Sequence, residues 1–454
     1  MSYNLLDEKW IPVQFCDGTN ARLGLLEVLS KAGEIRQITA SNPMDRVAIL
    51  RFLLAVLYWC QGNPDKGETR IDFEAIHDKL EANRDCFNLL GEGKRFYQDQ
   101  QANRSRPTTD LIQEIPTGNN FWHTRHATDG EEGLCIACCA IGLLRLPLFS
   151  VSGLPDLKSG INGTPPIYSI PIGTTLLLTL QLNTARCVES VGIPDWESDT
   201  RIPSTPNDPF LLYGLTLPSR RVWLHAQDGS GYCLNCGELS QSLVRSCNYQ
   251  SSGNQENQNW NDPHVLYVID KNNRKSLKTQ DLTKSQKFKM DRPWQSILKQ
   301  LTQSKTSELV SILLVGFATD KAKNVDIWER TIVLPSNNIG EDLIDQWDKS
   351  IWIMSQRLQR SKNLGGTTIT SIRPHVEHTV SLKIDSLLSG GDKAWLHAAE
   401  AYRPMMQAVS KSLSPGFTTD AVERRRKIAE TIPDMNPKPI VEKSSKKTNE
   451  STNE

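Results

Sequence analysis

Two Cys-x-x-Cys pairs constrain this chain more than any other feature of its sequence. Cys135 and Cys138 stand near the head of an apolar run, "GLCIACCAIGLL" (residues 133–144), and Cys233 and Cys236 follow about 95 residues later in "GYCLNCGELS". Each pair can supply two thiolates from one turn of chain. Two such turns facing each other complete a tetrahedral four-thiolate site for a structural Zn2+. Such a site keeps no open coordination position, so it staples and does not catalyse. Gly237, directly after the second pair, suits the tight turn of a knuckle. Two other readings stay open: a redox pair, disfavoured because neither pair has a clear strand-then-helix context, and unrelated buried cysteines. Cys139 reads as a core residue.

The chain has 454 residues, enough for two or three domains and for a core that needs no staple to form. Lys and Arg total 52 against 52 Asp and Glu, which excludes a polycation that coats nucleic acid through its whole surface. The opening "MSYNLLDEKWIPV" has early charges and no apolar core, so no signal peptide is expected. The run Val47 to Cys60 is too short for a bilayer and contains Arg51, so it reads as a core helix. A cytoplasmic protein without a membrane partner is expected, and metal binding by its cysteines is favoured over disulfides.

The front of the chain reads as mostly helical, with helices at 22–32, from Ser41 or Asn42 with Pro43 in the first turn, and at 72–90 up to Gly91. Residues 99–134 read as one long loop, and loops of that length are commonly functional. From 150 to 240 Pro and Gly become dense and short β-type runs appear, "IYSIPIG", "TLLLTLQL" and "RVWLHAQ"; strands also fit "HVLYVID" (264–270) and "VSILLVGFAT" (310–319), so the middle reads as mixed α and β with many loops. After Pro335 helices are expected near 340–362, 371–388, 392–412 and 418–431, which suggests an up-and-down bundle. The expected organisation is therefore α+β: a mixed α/β domain with a structural zinc site over 1–335, a four-helix bundle over 336–432 and a disordered tail over 433–454.

No phosphate-binding G-x-x-x-x-G-K, nucleophile elbow or H-E-x-x-H occurs, and no catalytic constellation stands out. His123 with His126 reads as a weak metal pair, and His375 with His378 as a helix face. Residues 271–299 hold nine Lys or Arg against Asp281 and Asp291, a net +7. This basic run reads either as a solvated loop or as a contact to nucleic-acid phosphates. Arg424, Arg425, Arg426 and Lys427 point around a whole helix and make a weaker patch.

Taken in order, "NLLDEKWIPV", "RFLLAVLY", "LCIACCAIGLL", "DLKSGINGTPPIYSIPIG", "YCLNCGE", "WNDPH" and "WERTIVL" resemble the large subunit of type I-E CRISPR surveillance complexes (Cascade), often called CasA. The likeness covers most of residues 3–335. It implies a mixed α/β domain with a zinc-stabilised core, a C-terminal four-helix bundle and no catalysis. The implied role is to read the protospacer-adjacent motif on duplex DNA, help open the duplex for the guide RNA, and help recruit a nuclease–helicase or other effector. Implied partners are the other subunits, the guide RNA and double-stranded target DNA.

Carried over residue by residue, the resemblance assigns Asn120, Phe121, Trp122 and His123 to contacts with the complex and its guide RNA. It assigns Gly153, Lys158 and Ser159 to DNA contact. Leu154, Pro155 and Asp156 stand where the family has glycines, and no lysine occurs at Gln250 to Ser252, where the family has one. Lys323 and Asn324 match the strand-separating wedge, with Asn324 in place of a glutamine. Lys271 and Lys275, from the basic run, complete the candidate DNA contacts. The departures predict an altered or relaxed motif preference. Two readings from other classes stand beside this one: a zinc-stapled interaction protein without a nucleic-acid role, and a thiol oxidoreductase using Cys135 and Cys138.

Overall fold

The computed structural model describes residues 2–62, 71–114, 133–151, 159–184, 191–197, 210–251, 256–257, 259–270, 273–279, 289–291, 310–320 and 323–334, with short pieces between 418 and 426. The chain divides into two compact units, Met1–Ser336 and Asn337–Glu454.

The first unit begins with β1 (Tyr3–Asn4), β2 (Ile11–Phe15), β3 (Asn20–Leu23), α1 (Leu25–Ser30) and β4 (Ile35–Ile38). Strands β3, β2 and β4 form a small antiparallel sheet. α2 (Pro43–Gln61) follows, and its start obeys the sequence rules: Pro43 takes the first helical position and the Asn42 side chain accepts from Met44 N at 2.8 Å. Residues 47–59 of α2 are buried on every face. An apolar helix without a polar side belongs at the centre of a fold. It packs against α3 (Phe73–Ala82), α4 (Ile136–Phe149), α5 (Leu176–Thr184) and α6 (Leu211–Thr216). Each fully buried large apolar side chain there contributes roughly 1.5–3 kcal/mol.

Three sequence expectations change here. The helix expected over 72–90 stops at Ala82, and β5 (Asn88–Leu90) leaves it to pair with β1. Residues 99–134 are not one loop: β6 (Arg104–Pro107) and the short strand β7 (Leu134–Cys135) lie within them. The run "TLLLTLQL", read as a strand, is α5; Leu176, Leu180 and Asn183 follow helical spacing into the core.

The remaining sheets carry the site. β9 (Arg220–Tyr232) and β10 (Leu239–Ser251) form a long hairpin; β6 and β7 pair end to end along the other edge of β10. β8 (Tyr168–Ile172) pairs with β14 (Val310–Asp320), which pairs with β15 (Lys323–Leu334). Between them in sequence, β11 (Tyr267–Asp270) is flanked by β12 (Asn273–Ser276) and β13 (Lys289–Asp291). Strands therefore occupy part of the basic run.

In the second unit the described pieces are helical between residues 419 and 426, where Thr418 caps the first turn by accepting from Ala421 N at 3.3 Å. The rest of the expected bundle and the tail lie outside the described residues.

Candidate metal centre and nucleic-acid contacts

The sheet brings the two cysteine pairs together. Cys135 ends β7 opposite Leu243 of β10, and it caps α4 by accepting from Cys138 N at 3.4 Å. Cys233 and Cys236 form the turn between β9 and β10. That turn closes through Gly237 N to Cys233 O at 2.8 Å and Cys233 N to Glu238 O at 2.9 Å, with Gly237 at φ +75°. Leu234 N then donates to Gly133 O at 3.1 Å, which docks the turn against the first pair.

All four sulfurs lie within 4.8 Å of one another, and Cys135 Sγ stands 3.8 Å from Cys236 Sγ. Metal–sulfur bonds of about 2.3 Å in a tetrahedron give sulfur–sulfur edges of about 3.8 Å. The donor set thus fits a four-thiolate metal ion. Electrostatics point the same way. Hydrogen bonds from Cys135, Cys138 and Cys233 hold the Cys236 thiol far below its ordinary range, while hydrogen bonding with Cys135, Cys233 and Cys236 pushes Cys138 well above it. Asn235 Nδ2 donates to Cys138 Sγ at 3.4 Å, and the Arg22 guanidinium of β3 pairs with Glu238, two residues beyond Cys236. These donors offset thiolate charge around the centre.

One sequence argument fails here. The first pair does have a strand-then-helix setting, because Cys135 links β7 directly to α4. Against the redox reading now stands the geometry itself: four mutually contacting sulfurs, not two. Cys139 is fully buried, as expected of a core residue.

The described candidates for DNA contact stand on separate elements. Ser159 is buried at 8% exposure. It opens a turn in which Gly163 N donates to Gly160 O at 2.9 Å, and a Cβ on Gly160 would stand 2.5 Å from Pro147 O. Lys323 and Asn324 begin β15 at the end of the β14–β15 hairpin, opposite Asp320 and Thr319. Lys275 is exposed on β12. Gly153, Lys158, Lys271, Asn120, Phe121, Trp122 and His123 lie outside the described residues.

Sequence reasoning missed two buried charge networks. Arg51 of α2 donates to Asp262 at 2.5 and 2.9 Å; Asn162 Nδ2 and His264 N each add a bond to Asp262 at 2.9 Å. Burial raises the Asp262 carboxyl, but Arg51 outweighs it and holds the group below its usual range. This network explains "WNDPH": Asp262 ties the turn of Asn162 to the central helix. In the second network Arg145 of α4 donates to Glu114 at 3.0 Å and stands 3.2 Å from Asp45. The available signal was a single arginine inside each of two apolar runs, "AILRFLL" and "GLLRLPL".

A mixed α and β chain, built around an all-buried helix and carrying four clustered cysteines, is the class these features define. The sequence profile of the family described as CRISPR-associated protein Cse1 matches residues 4–430. The chain belongs to the CRISPR-associated protein Cse1 family. It is 31% identical over 214 residues to the CRISPR-associated protein CasA/Cse1 of Thermus thermophilus, an alignment spanning 43% of this chain and less than half, 42%, of that relative. Its fold is similar to the crystal structure of Thermus thermophilus CasA, with TM-score 0.67 at 19% identity over 96% of this chain and 99% of that one. It is also similar to a chain of a structure titled CRISPR RNA-guided surveillance complex, with TM-score 0.61 at 15% identity over 95% of this chain and 99% of that one.

Proposed function

We propose that this chain is the non-catalytic large subunit of a type I-E RNA-guided surveillance complex in the cytoplasm. In that role it reads a short motif beside the target in duplex DNA, promotes strand opening and R-loop formation, and helps recruit the effector nuclease. The observation that carries the reading is the family match across residues 4–430. Protein reads the flanking motif in such systems, while base pairing with the guide reads the rest.

Each candidate has a physical task. Lys323 and Asn324, at a hairpin end, act as the wedge: an amide can stack on an opened pair and hydrogen-bond its edge. Gly153, Lys158 and Ser159 approach the minor groove, where sequence information is degenerate and a relaxed motif is natural. Lys271 and Lys275 neutralise phosphates. Asn120, Phe121, Trp122 and His123 contact the complex at the guide-RNA end, with aromatics available for stacking. Zn2+ is the ion held by Cys135, Cys138, Cys233 and Cys236. When bound it supplies a structural cross-link between α4 and the β9–β10 turn. A C-terminal four-helix bundle over 336–432 serves effector docking.

The test is a selection on targets with randomised flanks, using the guide-RNA complex from the same locus. A short motif recovered only when this chain is present supports the reading. No motif in its presence would sink it. The loss of glycines at Leu154, Pro155 and Asp156 predicts a broader motif set than a strict single sequence.

A further inference from the structure

The first half of β9 is covered along its outer edge. Asp99 N donates to Val222 O at 2.9 Å, Leu224 N donates to Gln98 Oε1 at 2.9 Å, and Arg95 donates to Leu224 O at 3.2 Å. A β-bulge, where Ser242 faces both Asp228 and Gly229, ends that half, with Gly229 at φ +142°. Beyond the bulge the edge is bare. Cys233 N bonds Glu238 O across the hairpin, and backbone direction alternates along a strand. Tyr232 and Ser230 therefore turn their N–H and C=O groups away from β10. No described residue bonds them along that edge. Gly229 and Ser230 are exposed, and Tyr232 is 64% exposed. Such an edge is a template for one more strand, and proteins commonly blunt it with lysine or proline. Neither occurs in "GSGY" (residues 229–232).

The two faces of this edge differ in chemistry. On one, Tyr232 stands opposite Leu239, itself 60% exposed, an apolar pair in solvent beside the cysteine turn. On the other, Gly229 and Gly231 leave β9 without side chains, and Arg245 of β10 occupies the space. A Cβ on Gly229 would stand 3.7 Å from Arg245 Nη1, one on Gly231 3.9 Å from Nη2, and one on Gly133 3.0 Å from Cγ. The side chain thus lies flat across the sheet with its guanidinium over the edge strand. Arg22, Arg51, Arg84, Arg106 and Arg145 each meet a carboxylate. Arg245 has no hydrogen bond or ion pair among the described residues.

We infer that the edge at Ser230–Tyr232 receives an extended segment of another protein, with an acidic side chain toward Arg245 and an apolar side chain toward Tyr232 and Leu239. An added strand lies about 4.8 Å beyond β9, within reach of the guanidinium. Successive residues of a strand point to opposite faces, so the segment alternates acidic and apolar where it docks. Main-chain bonds supply affinity, and the carboxylate–guanidinium pair supplies selectivity. A second copy of this chain fits poorly, because antiparallel pairing of the same edge about a two-fold axis sets Arg245 against its own counterpart. A nucleic-acid strand would use the cation and leave the outward backbone groups and the apolar pair without a role.

The full chain is titrated against a short fluorescein-labelled peptide that alternates threonine and valine around a central glutamate, with anisotropy as the readout. Three further probes are a twin with glutamine at the centre, a twin with alternate backbone amides N-methylated, and single-stranded oligothymidylate. The glutamate peptide is expected to bind about fivefold tighter than its glutamine twin, and N-methylation to abolish binding. Arg245→Gln should equalise the two peptides and leave both bound. Ser230→Pro should abolish both, since it removes an outward N–H and no ladder bond to β10. Unchanged melting of each variant excludes misfolding, and the N-methyl comparison needs no variant. No binding of the glutamate peptide, no preference for glutamate, binding that survives N-methylation, or a preference that survives Arg245→Gln would each overturn the inference. So would oligothymidylate competing with the peptide at equal strength, or a dimer of the chain that Ser230→Pro dissolves. Motif reading by the assembled complex does not depend on this edge and is tested separately by the flank selection.

Discussion

Arg51 and Asp262 are both buried almost completely, at 2% and 0% side-chain exposure. Removing one partner leaves an uncompensated charge in the core, so Arg51→Ala is expected to cost about 3–5 kcal/mol in urea unfolding. The double variant Arg51→Met with Asp262→Leu should lose markedly less, because no charge remains stranded; an equal loss would show that packing and not charge dominates. Asp195 offers a second residue-scale test. Burial pushes its carboxyl up from 3.8 to about 7, against the opposing fields of Lys94 and Arg221 and with that of Asp99. In that window the folded chain holds a proton the unfolded chain has released, so stability falls as pH rises from about 4 to 7. Asp195→Asn should therefore raise the unfolding midpoint at pH 8 relative to the parent and leave it nearly unchanged at pH 4; a gain of equal size at both values contradicts the assignment. At the cysteine cluster, Cys236→Ser should reduce bound zinc from about one ion per chain to near none and lower the melting temperature. Stoichiometric zinc in that variant would move the site elsewhere.

At the scale of elements, the hairpin of β14 and β15 depends on one close approach. Gly316 faces Trp328 across the pair, and a Cβ there would stand 2.2 Å from the indole. Trp328 also donates to Thr279 Oγ1 at 3.2 Å. Gly316→Ala should displace the ring and cost about 1–3 kcal/mol, with a shift in tryptophan fluorescence; an unshifted spectrum would mean that the strands open freely at this point. The elements also show what was legible. Asn42 with Pro43 announced α2, and the four cysteines announced their own meeting, because capping and thiolate spacing are local signals. The run "TLLLTLQL" misled because a short apolar segment of threonine and leucine satisfies both periods until its neighbours choose. β5 and β7 went unseen, since two- and three-residue strands exist only through their partners β1 and β10. The two arginine networks were hidden for the same reason: the carboxylates that neutralise Arg51 and Arg145 are remote in sequence.

For the molecule as a whole, zero net charge bears on the proposed binding of DNA. A neutral chain has little long-range attraction for phosphates, so tight binding requires neighbours that hold it near the duplex and raise its effective concentration. Local cations then govern the salt response, and weakening with rising salt is expected of the assembled complex. The most direct measurement is target-duplex binding by the guide-RNA complex purified from the same locus, with this chain present or left out. The account predicts tight binding only when the chain is present, and loss of that binding when the flanking motif is changed. Binding that is unchanged without the chain would contradict it and leave a zinc-stapled interaction protein as the better description.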